Sequence, residues 1–232
     1  MQPIALVTGA SRGIGAAIAH GLATDGYHVL CAARDTTKLK AVASAITAAG
    51  GSAEALALDV ADEQAVITAF AGLTRLDVLV NNAGIGRFAP AEQLDLADLD
   101  AILAVNLRGA LACCRGAIPL MKAGGGGRII NIGSVVSVKG YPNQTAYTAS
   151  KHALLGATKS MAAELQADGI RVSAVLPGGV DTDMVGDARP DLDRSSLLSA
   201  DDVAEAVQYL VGLSKRCCVD LIQLRRPGAA PF

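Results

Sequence analysis

The 232-residue chain is 51% hydrophobic, with Ala rather than aromatic residues prominent in that share, so it can bury one sizeable core; a single domain over 1–232 is expected. Twenty Lys and Arg against 22 Asp and Glu leave a net charge of -2 with the basic residues scattered, which gives no electrostatic footprint for nucleic acid. No run approaches the roughly 18 uninterrupted apolar residues of a membrane span, residues 1–7 lack the basic start of a signal peptide, and Cys31, Cys113, Cys114, Cys217 and Cys218 fit neither a disulfide framework nor zinc spacing, so a cytoplasmic protein with reduced thiols is expected.

In chain order, residues 4–7 form a short apolar strand closed by Thr8-Gly9, and Ile14, Ala17, Ile18 and Leu22 then recur at helical spacing. The unit repeats with a strand at 29–33, a helix marked by Leu39, Val42, Ala43 and Ile46, and a stop at Gly50-Gly51. Strands are expected at 53–60 and 77–80. A long helical pattern through 98–122 and the glycine run 124–127 lead into a strand at 128–132; a second helix through 145–167 leads into a strand at 170–176. Ser199 caps a helix carrying Val203, Val207, Leu210 and Val211, and a last strand covers 219–224. Buried strands alternating with such helices predict an α/β fold: a Rossmann-type, doubly wound parallel sheet of about seven strands with helices on both faces.

The turn Thr8-Gly-Ala-Ser-Arg-Gly-Ile-Gly15 falls between the first strand and the first helix. Backbone N–H groups and the helix dipole favour an anionic pyrophosphate there, and Gly9, Gly13 and Gly15 remove the Cβ atoms that would block close approach; Ser11, Arg12 and Ile14 belong to the same candidate cofactor cradle. Purely steric needs also produce glycine turns. The second strand ends Cys31-Ala-Ala-Arg34, with no acid to take a ribose 2′-hydroxyl. Arg34 and Arg12 together suit a 2′-phosphate, so NADPH (NADP) is expected in preference to NAD, although both arginines could be solvated and Asp35 could offset them.

Tyr147 and Lys151 stand four residues apart on a predicted helix and so share a face. A neighbouring ammonium stabilises phenolate, which makes the phenol a usable acid and base near neutral pH. Ser134 should emerge at the carboxyl end of the fifth strand, where open α/β sheets bind ligands, and could hydrogen-bond a substrate oxygen. Taken singly, a helix-surface pair and a turn serine explain these residues equally well.

With the glycine turn, Asn81-Asn-Ala-Gly84 after the fourth strand, Asn106, Ser134, Tyr147, Lys151 and Pro177-Gly178 in this order, the chain resembles the short-chain dehydrogenase/reductase family over almost its whole length. The resemblance implies a tetrad in which Tyr147 protonates the carbonyl oxygen, Ser134 positions it, Lys151 binds the nicotinamide ribose and lowers the Tyr147 pKa, and Asn106 holds a water of a proton relay. It also implies adenine contacts from Asp59 and Val60, a cofactor lining of Asn82, Ala83 and Gly84, and carboxamide contacts from Val180 and Thr182 beside Pro177 and Gly178. Each has a plainer reading: Asn106 as a satisfied amide, Asp59 as a strand-end cap, Asn81-Asn82 as a turn, Thr182 as a helix cap. His20, His28 and His152 are dispersed, and no metal is expected.

The function implied is hydride transfer between NADPH and a carbonyl or secondary alcohol. A nucleotide-binding regulatory module and a sugar-nucleotide epimerase or dehydratase are the alternatives. Residues 85–95, 135–145 and 179–199 should flank the pocket mouth. In the last of these, Asp181, Asp183, Asp187, Asp191 and Asp193 against Arg189 and Arg194 would disfavour anionic substrates if they face the pocket rather than water. The chain is similar to 3-oxoacyl-carrier-protein reductases, without a recognisable carrier-docking surface. Resemblance further implies a homodimer or homotetramer packed through the helices at 98–122 and 145–167; the finish Leu224-Arg-Arg-Pro227 departs from the family's glycine-rich one and bears on the tetramer most.

Overall fold

The computed structural model describes residues 2–188 and 193–229. Seven strands, β1 (Ile4–Thr8), β2 (His28–Ala33), β3 (Ser52–Ala57), β4 (Val78–Asn81), β5 (Gly127–Ile132), β6 (Ile170–Pro177) and β7 (Leu221–Leu224), join one sheet in the order β3-β2-β1-β4-β5-β6-β7. Every pairing is parallel. Helices α1 (Gly13–Thr24), α2 (Thr36–Ala48), α3 (Glu63–Ala71), α4 (Leu96–Leu103), α5 (Ala110–Ala123), α6 (Thr145–Leu165), α7 (Asp183–Ala188) and α8 (Ala200–Gly212) connect them.

Both faces are covered, which explains why the strands read as continuous apolar runs rather than alternating ones. In β1, Ala5 and Val7 point into a cluster with Ile18 and Leu22 of α1, Leu39 and Ile46 of α2 and Val203 and Val207 of α8. Leu6 points the other way, toward Val66 and Phe70 of α3, Cys113, Ala117 and Met121 of α5 and Leu165 of α6. The helical run Leu96–Ala123 has the length and apolar character of a membrane span by composition alone. Its apolar side chains Cys113, Ala117 and Met121 instead pack on the sheet.

The expected elements differ most from the observed ones in three places, besides the short α7, which was not expected, and a last strand that begins at Leu221 rather than 219. The third strand stops at Ala57 rather than at 60 because its neighbour β2 ends at Ala33, which takes the partner from the ladder. The helix expected through 98–122 is broken by a π-helical turn, Ala104–Gly109, between α4 and α5. Such turns insert one residue into the i→i−4 pattern and recur at functional sites. Helix α3 went unanticipated: nine residues with only Val66 and Phe70 buried give little periodic signal, though Asp62 caps it through the Gln64 and Ala65 N–H groups.

The strand order reverses between β1 and β4, and the two strand ends are fastened there. The Thr8 hydroxyl, buried, donates to the Val80 carbonyl at 3.3 Å and accepts from the Asn82 and Ala83 N–H groups at 3.0 Å each. Replacing Thr8 by Val keeps the shape and removes all three bonds. Because N–H groups without partners are costly, Thr8→Val should lose about 2 kcal/mol of stability, read from the urea midpoint; an unchanged midpoint contradicts this fastening.

Candidate active site

Splayed loops at this reversal leave a cleft of about 760 Å³ across the carboxyl ends of the strands, where open α/β sheets take their ligands. The glycine turn forms one wall. Gly9 has φ +68°, and a Cβ on it would stand 2.9 Å from Ala83 Cα. At Gly15 an added Cβ would lie 2.3 Å from the Gly9 carbonyl oxygen and 2.5 Å from Asn82 Nδ2. Both glycines are thus demanded by the turn's own packing. Gly13, at φ +53°, is the one that faces across the cleft, 3.3 Å from Thr182 Cγ2 if it carried a Cβ.

The start of α1, like that of α6, has no side-chain cap. Asp35, Asp62, Asp95 and Ser199 cap α2, α3, α4 and α8 with side-chain oxygens, whereas Arg12 at the head of α1 supplies no side-chain cap. The first-turn N–H groups of α1, among them Gly13, Ile14 and Gly15, line the cleft and are available to an external anion. Asn82 braces the turn, donating from Nδ2 to the Thr8 and Gly9 carbonyls at 3.0 and 3.3 Å.

At the end of β2, Arg34 lies 4.0 Å from Asp59 Oδ2, while Arg12 reaches across to Asp183 on α7. The two guanidiniums therefore face separate carboxylates instead of converging on one point. All four side chains are at least 42% exposed, and exposed pairs contribute about 0–1 kcal/mol, so either can exchange its partner for a phosphate at little cost. Lys38 joins Arg34 on this wall. It escaped the sequence reading, although its place one helical turn beyond Arg34 in the first turn of α2 was a usable signal.

The opposite wall carries Ser134, Tyr147 and Lys151, all lining the same cavity as the glycine turn. Ser134 heads a one-turn helix, Val135–Ser137, accepting from Val136 N–H at 3.3 Å while its own N–H donates to Ser137 Oγ at 3.2 Å. This capping box fixes the serine after β5. The Lys151 ammonium is buried, donates to the Ile132 carbonyl at 2.8 Å and sits 5.8 Å from the Tyr147 ring centroid. Burial pushes Lys151 down to about 8. Burial likewise pushes the Tyr147 phenol up to about 12, with a hydrogen bond from Ser134 acting against it. The phenol of the protein alone therefore lies above its ordinary value rather than below it as the sequence predicts: desolvation outweighs the Ser134 hydrogen bond, and the ammonium is directed at a backbone carbonyl.

Asn106 alone among the candidate residues stays out of the cleft lining. It lies in the π-helical turn, fully buried, with Oδ1 accepting from Ile85 N–H at 2.8 Å and Nδ2 donating to the Ile85 carbonyl at 2.9 Å and to Ser150 Oγ at 3.1 Å. The plainer expectation of a satisfied amide describes these contacts. Ser11, Val60, Ala83, Gly84, Pro177, Gly178, Val180 and Thr182 all line the cavity, joined by Ile85, Met184 and Val185, which the sequence did not single out.

In the segment after β6, Asp181 pairs with Arg194, and Asp193 accepts from Ser195. The side chains of Asp187, Arg189 and Asp191 lie outside the described residues. Among the described residues no group of His, Cys, Asp and Glu could hold a metal ion. The closeness of the glycine turn is directly testable: Gly15→Ala forces a Cβ against backbone and should cost about 3 kcal/mol, measured by denaturant unfolding, and a variant as stable as the parent would refute the contact.

A family profile described as short chain dehydrogenase matches residues 3–193. A 3-oxoacyl-[acyl-carrier-protein] reductase of Synechocystis sp. is 43% identical over 186 residues, 78% of this chain and 75% of the relative. A 3beta-hydroxysteroid dehydrogenase of Mediterraneibacter gnavus is 38% identical over 196 residues, 82% of this chain and 71% of its own. Among solved structures, a metagenomic short-chain oxidoreductase in complex with NADP superposes with a TM-score of 0.85 at 38% identity, covering 97% of this chain and 96% of that one. With the parallel sheet, the glycine turn and the Tyr147–Lys151 pair in place, these matches establish that the chain belongs to the short-chain dehydrogenase/reductase family of NAD(P)-dependent oxidoreductases.

Proposed function

We propose that this protein is an NADPH-preferring oxidoreductase for a carbonyl or secondary alcohol, with Tyr147 as the proton-transferring group. The observation that carries the reading is one continuous cleft joining an uncapped helix start, a cationic wall and the Ser134–Tyr147–Lys151 cluster. A dinucleotide fits these residues: its pyrophosphate at the α1 N–H groups, its adenine near Asp59 and Val60, and a 2′-phosphate between Arg34, Lys38 and Arg12. The NADP in the metagenomic relative supports the same choice of nucleotide. Pro177, Gly178, Val180 and Thr182 would border the nicotinamide end.

Reduced nicotinamide, when bound, supplies the hydride. The chain's own residues handle the proton. Ser134 donates to the substrate oxygen and holds it beside Tyr147, where charge develops as the carbon is reduced. Tyr147 then gives its phenolic proton to that oxygen and is reprotonated from water along the Lys151 side. A phenol pushed up to about 12 is in its acid form at neutral pH, as reduction requires. Lys151 holds the ribose and opposes the phenolate's charge as long as it keeps its own proton. Asn106 would act at second hand, by fixing Ile85 and Ser150 around the pair.

Two relatives of similar identity carry names for a 3-oxoacyl-[acyl-carrier-protein] and a 3beta-hydroxysteroid, so the substrate follows from the mouth loops rather than from the family. The same reading carries a homodimer or homotetramer packed through the α4–α5 run and α6. The complete cluster favours turnover over a purely regulatory role.

A panel of a β-keto ester, an aryl ketone, an aliphatic aldehyde and a polyol, followed by NADPH absorbance and repeated with NADH, tests the reading. Turnover should favour NADPH, and Tyr147→Phe should lose about 10³-fold in kcat with unchanged NADPH affinity; a fully active Tyr147→Phe defeats the mechanism. The pH dependence has a defined sign. As pH rises through about 8, Lys151 loses its charge and with it the support for the developing phenolate, so carbonyl reduction should fall above that pH. Reduction rates that climb between pH 7 and 9 would contradict it.

A further inference from the structure

The segment that leaves β4 toward α4 is pinned on both sides of Phe88. Ile85 exchanges two hydrogen bonds with the Asn106 amide, at 2.8 and 2.9 Å. Arg87 pairs with Asp98 in the first turn of α4. Ala89 donates its N–H to the Asn143 carbonyl at 3.0 Å, just ahead of α6, and Asn143 holds a left-handed φ of +65° that few residues other than Gly and Asn accept. Gly86 completes the arrangement, because a Cβ there would stand 2.6 Å from Phe88 Cζ. A side chain at residue 86 would displace the phenyl ring from where it folds back over its own chain.

These fixings deliver one aromatic ring to one place. Phe88 meets Tyr147 edge to face, with centroids 5.7 Å apart and planes at 68°. The phenol also has Lys151 near it, 5.8 Å from the ring centroid. Tyr147 sits in the first turn of a helix whose start has no side-chain cap, its phenol end desolvated although the residue as a whole is half-buried. A tyrosine in that situation keeps rotamer freedom unless neighbours remove it.

We propose that Phe88 is a positioning residue for Tyr147: pinned through Asn106, Asp98 and Asn143 and admitted by Gly86, its ring holds the phenol in the cleft in the orientation that proton transfer needs. The inference rests on the role proposed for Tyr147. Phe88 itself does not line the cleft, so it acts on the reaction through the phenol and leaves the nucleotide-binding wall untouched. Misplacement of a reacting group by about 1 Å can cost up to about 100-fold in rate, so a held ring is worth a measurable share of that.

The test compares Phe88→Ala, Phe88→Leu, Phe88→Tyr and Gly86→Ala with the parent, using NADPH and the best substrate of the panel above. Phe88→Ala should lower kcat roughly tenfold with KM changed far less and with NADPH affinity unchanged. Phe88→Tyr, which keeps the ring, should restore kcat. Gly86→Ala keeps the ring and displaces it, so it should fall between. If Phe88→Ala fails to fold, Phe88→Leu and Gly86→Ala decide the matter by the same criteria. A kcat within twofold of the parent in Phe88→Ala and Gly86→Ala, a Phe88→Tyr as impaired as Phe88→Ala, or a loss confined to KM overturns the proposal. An unimpaired Phe88→Ala beside an inactive Tyr147→Phe sinks this inference alone, whereas a parent inactive with every substrate sinks the functional reading beneath it.

Discussion

A single hydroxyl at the point where the sheet reverses direction holds the site in shape. Thr8 Oγ makes one bond to β4 as donor and accepts two from the residues that follow β4. β2 lies on one side of β1 and β4 on the other, so the loops leaving β1 and β4 diverge, and this fastening limits how far. Asn82 adds two bonds to the glycine turn from the other direction. The cleft is therefore wide where a ligand would lie and tight where its walls meet, and Gly9 and Gly15 are glycine for the second reason.

The far wall is set by a buried polar chain. Asn81 Nδ2 donates to Asn131 Oδ1 at 2.9 Å, and Asn131 Nδ2 donates to Thr158 Oγ at 2.8 Å, which ties β4 to β5 and β5 to α6. Thr158 is two helical turns beyond Lys151, on the same face. Fixing the register of α6 at Thr158 thus fixes where Lys151 and Tyr147 meet the end of β5, where the ammonium finds the Ile132 carbonyl. Networks of this kind specify position because a shifted register would leave amides buried without partners.

Charge is distributed differently on the two walls. The arginines near the second strand are exposed and paired with exposed carboxylates, a weakly held arrangement that yields to a stronger anion. Lys151 is buried with no carboxylate paired to it among the described residues, and burial lowers its pKa. One wall is suited to exchange partners and the other to hold a proton in a fixed place.

The fold was legible because a parallel sheet writes itself into short apolar runs at regular intervals, and the glycine turn and Tyr147–Lys151 spacing are local patterns with local geometric consequences. Residues in contact through sequence-distant elements left no such trace. Lys38 could have been found from its helical offset from Arg34; Phe88 could not, since its meeting with Tyr147 depends on Asn106, Asp98 and Asn143 arriving from three other segments. The sequence by itself determined the element types, the strand–turn–helix phosphate cradle and which residues share a helix face, because these depend on backbone periodicity. Tertiary structure alone decided that the π-helical turn points Asn106 at Ile85, that the two arginines face different carboxylates, and that burial raises the phenol and lowers the ammonium, because desolvation and long-range pairing exist only once distant segments have packed.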